Sequence, residues 1–316
     1  MTRKIAITGT FLDEITDDIP SNNWSEKEWD KDFAAMKKMG IKRVFMIRAG
    51  MARKLAYPSK VIPAVRSTYP VYQDLIAMFL RLAEKHDMKF WPGNYVGRWN
   101  SGTKFPWHDV DLDLRIADEI WERYGSSKAF GGWYFSKEIG GNNPEVVEGF
   151  LKLGRHCKEI SGGLPIMISP YISILPELKR NHGGKIPDWD DTPVDLDVFR
   201  KNWGAVMKRI TGAVDIVAWQ DGLAPYSQLP RIFRAQKELA EQYGMTVWVN
   251  SESFDRDMPF RFPPIDWRYL RYKLECAAEA GISEAATFEF SHFMSPNSMW
   301  PSAGQLYNRY MEYLNE

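Results

Sequence analysis

Two stretches of the chain decide the fold: Gly-Trp-Tyr-Phe-Ser-Lys-Glu-Ile at 132–139 and Val-Trp-Val-Asn-Ser-Glu-Ser-Phe at 247–254. Each is a short run rich in aromatic and β-branched residues, as strands are, and each ends in a glutamate, Glu138 or Glu252. If both runs are strands of one parallel barrel, their carboxyl ends lie at the same rim. The pattern therefore predicts that the two carboxylates meet across one cavity.

The alternation of strand and helix extends along the whole chain. The predicted strands lie near 4–12, 43–49, 88–95, 130–138, 164–171, 214–220, 245–252 and 284–291, and the predicted helices near 25–39, 71–86, 113–124, 144–160, 197–210, 228–243, 267–280 and 303–314. Eight strands, each followed by a helix, are typical of a (β/α)8 TIM barrel. We expect one such domain over residues 1–316.

The connections between these elements differ in length. Helix-to-strand connections such as Met39-Gly40-Ile41 are short, whereas the strand-to-helix connections are long and rich in Trp, Pro, Gly and Asn. The long connections lie at 50–70, 96–112, 172–196, 253–266 and 292–302. Active sites of TIM barrels are built from such loops at the carboxyl ends of the strands. Because Trp99, Trp107, Trp189 and Trp300 lie on them, we expect one or two of these rings to stack on sugars, Trp99 among them.

Composition excludes several classes of partner. Lys and Arg total 41, as do Asp and Glu, so no net charge attracts nucleic acid or anionic lipid. The two cysteines, Cys157 and Cys276, fall inside predicted helices without a Cys-x-x-Cys pattern, so we expect buried, reduced thiols and neither metal nor cofactor. The N-terminus enters a strand directly, and no segment is long enough to span a bilayer. We expect a soluble, cytoplasmic protein; export with a removed signal is the alternative.

Strand alternation predicts which side chains face the barrel axis. In the fourth strand, the bulky Trp133 and Phe135 are expected to pack outward, which turns Glu138 inward at the rim. In the seventh strand, Trp248, Asn250 and Glu252 share one face.

In the eighth strand, the bulky residues Phe288 and Phe290 are again expected to face outward. This phase would leave Thr287, Glu289 and Ser291 facing the axis.

The other strands also end in polar residues, for which we predict a role in binding substrate hydroxyls. These residues are Glu14, Arg48, Asn94, Tyr95, Tyr171, Gln220, Asp221, Glu289 and His292. Asp221 precedes a glycine and is equally typical of a turn, and Asp221 or Glu289 is the alternative second catalytic carboxylate. Arg48 is expected to form a salt bridge with Asp13 or Glu14.

Two carboxylates over an aromatic floor are the usual means of cleaving a glycosidic bond. We expect Glu138 to be the general acid/base, with a pKa raised by apolar rings and a neighbouring negative charge, and Glu252 to be the nucleophile or base. A separation of about 5–5.5 Å would indicate retention of configuration and about 6.5–9.5 Å inversion, a choice that the sequence leaves open.

Two other functions are compatible with this rim. A metal-dependent sugar isomerase or epimerase would use several convergent carboxylates and a histidine: Glu138, Asp221, Glu252, Glu289 and His292. A non-catalytic carbohydrate-binding barrel would keep the carboxylates in salt bridges. A Schiff-base aldolase is disfavoured because Lys137 is expected to point outward.

Several motifs resemble a bacterial barrel family catalogued as a domain of unknown function (DUF4434 type) and grouped with glycosidase-like proteins. The matching motifs are Gly-Thr-Phe-Leu-Asp-Glu (9–14), Asp-Ile-Pro (18–20), Asn-Trp-Ser (23–25), Met-Ile-Arg-Ala-Gly (46–50), Gly-Trp-Tyr (132–134) with Glu138, Ser-Pro-Tyr (169–171), Gln-Asp-Gly (220–222) and Asn-Ser-Glu-Ser-Phe (250–254). The resemblance implies a TIM barrel and a carbohydrate-active site but no particular substrate, and many relatives are exported.

The two glutamates are similarly placed to those of the clan A retaining glycosidases. That clan carries its acid/base and nucleophile at the ends of strands four and seven, which implies these roles for Glu138 and Glu252. The clan usually has Asn before the acid, where this chain has Lys137.

Overall fold

The computed structural model describes residues 4–16, 19–97, 108–172, 194–222, 224–256 and 262–316. Eight parallel strands form its central sheet: β1 (Ile7–Leu12), β2 (Arg43–Met46), β3 (Lys89–Trp91), β4 (Trp133–Phe135), β5 (Ile166–Ile168), β6 (Ile216–Gln220), β7 (Thr246–Glu252) and β8 (Ala285–Phe288). Their order is β3-β2-β1-β8-β7-β6-β5-β4. Single parallel bridges, Phe90 to Phe130 and Gly93 to Tyr134, join the two edges. The predicted α/β fold, a (β/α)8 TIM barrel, is confirmed.

In the described part of the chain, eight long helices surround the sheet, one after each strand. They are α1 (Glu26–Met39), α2 (Leu75–Lys85), α3 (His108–Tyr124), α4 (Pro144–Ile160), α5 (Leu196–Ile210), α6 (Leu229–Gln242), α7 (Trp267–Glu279) and α8 (Pro301–Asn315). α1 begins where the sequence predicts, since the Ser25 N–H donates to Glu28 Oε2 at 2.8 Å in a capping box. It ends at Gly40, whose φ of 97° places it in the left-handed region.

Short elements occur at the carboxyl ends of the strands in addition to the eight strands and eight helices that the sequence predicts. They are the strands Gly50–Met51, Lys54–Leu55 and Tyr95–Val96, which form one small sheet, the 3-10 turn Tyr226–Gln228 and the single-turn helix Phe290–Phe293. Tyr95 is therefore part of a sheet outside the barrel rather than the end of β3.

Two apolar layers lie on opposite sides of the barrel strands. The inner layer is unusually aromatic and includes Phe11, Phe45, Trp91, Tyr134 and Trp248. Phe11 and Tyr134 meet edge to face with ring centroids 5.0 Å apart, so the barrel is filled below its mouth. The outer layer packs the opposite faces of the strands, including Trp133 and Phe135, against the helices. The predicted phases of β4 and β7 are therefore correct.

The predicted phase of β8 is wrong. Phe288 pairs in register with Glu252 and lines the same cavity, whereas Phe290 packs in the outer layer. The Thr287 hydroxyl donates to the Ser251 carbonyl at 2.8 Å, away from the axis. Bulk does not predict the outward face here because the inside of this barrel is itself filled with aromatic rings.

Both cysteines, Cys157 and Cys276, are buried free thiols, as predicted. Within the described ranges, no helix is long and apolar enough to cross a membrane.

Candidate active site

A cavity of about 430 Å³ opens at the carboxyl ends of the strands, a size suited to a small molecule. Its polar wall consists of Asp13, Thr16, Arg48, Glu138, Gln220, Asn250, Glu252 and Arg256. Glu138 follows β4 and Glu252 ends β7, so the two carboxylates lie in one cavity, as the strand phases predict. Arg48 and Gln220, predicted to bind substrate, also lie in this wall.

Glu138 lies where it can exchange a proton with a bound molecule. Its side chain is 26% exposed, and Arg48 Nη2 lies 3.9 Å from its Oε1. Burial raises the pKa of Glu138, and the charge of Glu252 adds to this effect, while Arg48 and a hydrogen bond from Gln220 oppose it. A carboxyl with a raised pKa is suited to donate a proton near neutral pH.

Glu252 is paired with a guanidinium group. Its side chain is 3% exposed, and Arg256 Nε donates to its Oε2 at 2.8 Å while Arg256 Nη2 donates to Oε1. Such a two-point contact fixes the plane of the carboxylate as well as its charge. Sequence reasoning missed Arg256 because its approach depends on the path of the loop after β7.

Gly222 makes room for the Glu252 carboxylate. A methyl group built on Gly222 would lie 1.6 Å from Glu252 Oε2, far inside any allowed contact. The glycine is thus required by the close approach of the carboxylate.

Asp221 lies behind the cavity wall and not in it. It is 1% exposed, and its carboxylate accepts hydrogen bonds from the Ser251 hydroxyl at 2.7 Å and the Glu252 N–H at 3.0 Å. Lys273 of α7 pairs with it at 2.8 Å. Asp221, predicted to bind substrate or to replace Glu252, therefore does not line the cavity: Gln220 faces the cavity, and the next residue along the chain faces the other way.

Asp13, rather than Glu14, lies in the cavity wall. It shares the inward phase of Phe11, while Glu14 accepts a hydrogen bond from the Asn22 N–H at 3.1 Å. Burial raises the pKa of Asp13, and the charge of Arg48 opposes this. Of the two carboxylates predicted to pair with Arg48, Asp13 is the one whose pKa Arg48 affects. The salt bridge of Arg48, however, is with Glu138.

Three buried atoms of the cavity wall have no hydrogen-bond partner among the described residues. They are Asp13 Oδ2, Arg48 Nε and Asn250 Oδ1. Buried polar groups are normally satisfied, so these atoms are suited to water or to substrate hydroxyls brought to them. Asn250 was expected to share the face of Glu252 but not to contribute to the site.

Three other residues predicted for the site, Asn94, Tyr95 and Tyr171, do not line the cavity. Asn94 Oδ1 accepts from the Ser136 N–H at 2.7 Å, and the Tyr95 hydroxyl donates to the Ala52 carbonyl at 2.7 Å. Tyr171 is half-buried beyond β5. Trp99 lies outside the described residues.

Glu289 and His292 interact with each other rather than with the cavity. Glu289 accepts from the His292 N–H at 2.7 Å and contacts His292 Nδ1, while His292 Nε2 lies 2.8 Å from the Pro20 carbonyl oxygen. Strand alternation does not carry them to the cavity, because β8 ends at Phe288 and a new helical turn begins. Of the five side chains required by an isomerase, Glu138 and Glu252 line the cavity.

Phenylalanine and tyrosine rings, together with Ile19, Ile47 and Met51, form the apolar part of the cavity. Tyr134, Phe254, Phe262 and Phe288 line it, and the rings of Phe254 and Phe262 meet edge to face at 4.6 Å. Trp107 and Trp189 lie outside the described residues, and Trp300 caps the N-terminal end of α8. Across the described ranges, no group of three or more His, Cys, Asp or Glu side chains is arranged to hold a metal ion.

Comparison with known proteins places the chain among glycosidase-like barrels. Residues 7–300 match the family model for a domain of unknown function (DUF4434). A candidate alpha-L-fucosidase from Bacteroides thetaiotaomicron VPI-5482 has 43% sequence identity over 99% of this chain and 97% of that chain, with a TM-score of 0.89. No curated protein matches the chain.

More distant structural neighbours are also glycoside hydrolases and show the fold alone. The endo-1,4-beta-D-mannanase of Thermotoga petrophila RKU-1 has 13% identity over 90% of this chain and 88% of its own, with a TM-score of 0.55. A beta-glucuronidase from an uncultured Clostridium has 11% identity over 98% of this chain and 50% of its own, with a TM-score of 0.59.

Proposed function

The chain belongs to the DUF4434 family, and from this premise we propose that it is a glycoside hydrolase with one catalytic domain spanning the chain. One observation carries the proposal: the carboxylates of Glu138 and Glu252, from β4 and β7, line the same cavity. Two carboxylates in one cavity are what glycosidic bond cleavage requires.

In this proposal, Glu138 is the general acid/base and Glu252 the nucleophile or general base. The raised pKa of Glu138 supports proton donation to the leaving oxygen. Glu252, whose charge is paired with Arg256, lies in the same wall and would attack the anomeric carbon or activate water. The unpartnered atoms of Asp13, Arg48 and Asn250 would bind sugar hydroxyls.

The candidate alpha-L-fucosidase with 43% identity makes fucosides the first substrates to test. A panel of 4-nitrophenyl glycosides led by the α-L-fucoside, with gluco-, galacto-, manno- and glucuronosides, covers the neighbouring chemistries. Release of nitrophenolate measures turnover directly, and the anomer first released reports retention or inversion.

We predict that Glu138→Gln and Glu252→Gln each lower kcat on the best panel substrate by about 100- to 10,000-fold, because each removes a proton donor or a reacting carboxylate. The melting temperature should stay close to that of the native protein. Glu241→Gln, which alters an exposed glutamate of α6, is the matched control and should keep full activity. Undiminished turnover in both site variants would remove the assignment.

A non-catalytic sugar-binding barrel is the second candidate, and the pairing of Glu252 with Arg256 favours it. Both Glu252 oxygens accept from the guanidinium group, which uses one lone pair of each oxygen and so weakens the carboxylate as a nucleophile. This function predicts that calorimetry detects binding of a panel sugar by the native protein with no turnover of any glycoside. Measurable turnover that is lost in Glu252→Gln would decide for the hydrolase.

A further inference from the structure

Two lysines are buried in the described part of the chain, and each lies beside one of the two glutamates of the cavity. Lys137 is 8% exposed and Lys273 is 3% exposed. Each pairs with a buried aspartate, Lys137 with Asp113 and Lys273 with Asp221. Lysines are almost never fully buried in proteins unless they are paired, so the position of each pair calls for a physical reason.

The pair of Lys273 and Asp221 holds the main chain of Glu252. Asp221 Oδ1 accepts from the Glu252 N–H at 3.0 Å, and Lys273 Nζ donates to the Glu252 carbonyl at 3.2 Å. Asp221 Oδ2 also accepts from the Ser251 hydroxyl. Both main-chain polar groups of Glu252 are thus fixed by one ion pair that reaches from β6 to α7.

The pair of Lys137 and Asp113 holds the segment that carries Glu138. Glu138 lies three residues beyond the end of β4, where the ladder of the sheet no longer positions it. Its neighbour Lys137 points the opposite way and contacts Asp113 of α3 at 2.6 Å. Because adjacent residues in an extended segment face opposite sides, fixing Lys137 from the helix layer also fixes the direction of Glu138.

Stability alone is a poor explanation for these pairs. Removing two charges from water costs much of what their attraction returns, and apolar residues of similar size often serve as well. We propose that the Lys273–Asp221 and Lys137–Asp113 ion pairs are positioning devices that hold Glu252 and Glu138 in their reactive geometry. This inference rests on the proposed function for its kinetic consequence, and its geometric consequence is independent of that function.

The test uses neutral double variants, Asp221→Asn with Lys273→Met and Asp113→Asn with Lys137→Met. The control is Asp215→Asn with Lys158→Met. These two side chains form an ion pair at 2.6 Å, and Asp215 also accepts a hydrogen bond from the Ile166 N–H. Asp215 precedes β6, so this pair lies at the end of the barrel opposite the cavity. We expect each site variant to lower kcat by about 100-fold, as a displacement of about 1 Å does, with KM changed by less than about threefold. The control should keep native kcat.

Crystal structures of the same variants supply the second measurement. The Glu252 or Glu138 carboxylate should shift by about 1 Å. Carboxylates that stay in place, or an equal loss of kcat in the control, would overturn the inference. If the native protein cleaves no glycoside, the proposed function is contradicted. The crystal structures then still show whether the ion pairs position the two carboxylates. If a double variant does not fold, the single variant Asp221→Asn or Asp113→Asn replaces it, because asparagine keeps one acceptor oxygen. Its kcat, its KM and the position of the carboxylate are then judged by the same criteria.

Discussion

At the level of single residues, Glu252 is held by three separate parts of the chain. Arg256 binds its carboxylate, the Asp221–Lys273 pair binds its main chain, and Gly222 leaves the space that its carboxylate fills. A side chain constrained in this way keeps one rotamer, which is the condition for an accurately placed reacting group.

Gly222→Ala tests the space beside the carboxylate. The added methyl group would overlap Glu252 Oε2, and the end of that side chain can move more easily than the main chain. We therefore expect kcat to fall by about 100-fold, while the free energy of unfolding changes by less than about 1 kcal/mol.

Gly141→Ala is the control for this variant, since its nearest atom would lie 4.0 Å away. Native activity in Gly222→Ala would contradict the role assigned to the glycine.

How far the site follows from the sequence depends on the interaction that places each residue. Strand phase predicts Glu138, Gln220 and Glu252, because alternation is a local property of the backbone. Strand phase cannot place both Gln220 and Asp221 in the cavity wall, because neighbouring residues of a strand face opposite sides. Arg256 was unpredictable because its contact depends on a loop path, and no local pattern encodes that path.

At the level of elements, the weakest junction of the barrel is between β3 and β4. Single bridges from Phe90 and Gly93 join them in place of a continuous ladder. Gly93 is crowded by main chain, since a methyl group in place of its hydrogen would lie 2.5 and 2.6 Å from the carbonyl oxygens of Met46 and Ile47. The inner aromatic residue Tyr134 is held at this junction.

Gly93→Ala should therefore destabilise the barrel. Main-chain carbonyls cannot yield as a side-chain end can, so we expect a loss of about 3 kcal/mol in the free energy of unfolding, measured by urea denaturation. Gly304→Ala, in α8, is the control, because its methyl group would lie 3.5 Å from the nearest atom, the Cα of Pro296. That change should leave stability unchanged or raise it by about 0.5–1 kcal/mol. Equal stability of the two variants would contradict the argument.

The elements themselves were largely predictable, and the exceptions have physical causes. The capping box at Ser25 and the left-handed Gly40 are local signals, so the bounds of α1 follow from the sequence. The phase of β8 was not predictable, because the face of Phe288 is set by the aromatic filling of the barrel. The small sheet containing Tyr95 depends on pairing between distant loops.

At the scale of the whole molecule, a buried histidine that pairs with Glu289 also links the end of the barrel sequence to its beginning through a hydrogen bond to a main-chain carbonyl. His292 follows β8, and its two ring nitrogens face the Glu289 carboxylate and the Pro20 carbonyl. Two acceptors require both nitrogens to carry protons. Burial opposes the charge, but Glu289 outweighs it and raises the pKa of His292 to about 9.

This contact predicts a pH-dependent stability. A raised pKa contributes stability that is complete below the unfolded pKa of 6.5 and is lost as the pH rises through about 9. The native protein should therefore be more stable than His292→Asn at about pH 6. This advantage in the free energy of unfolding should be about 3 kcal/mol larger at about pH 6 than at about pH 10. Urea denaturation of both proteins at each pH measures this difference. A constant difference would show that folding does not raise the pKa of His292.

The two ion pairs behind the glutamates extend the determinants of the site into the outer layer, since Asp113 belongs to α3 and Lys273 to α7. A mutagenesis library that randomises only the cavity wall would leave both positions untouched. Laboratory evolution toward new glycosides should therefore include these helices, where one substitution can tilt a reacting group without altering the surface that the sugar touches.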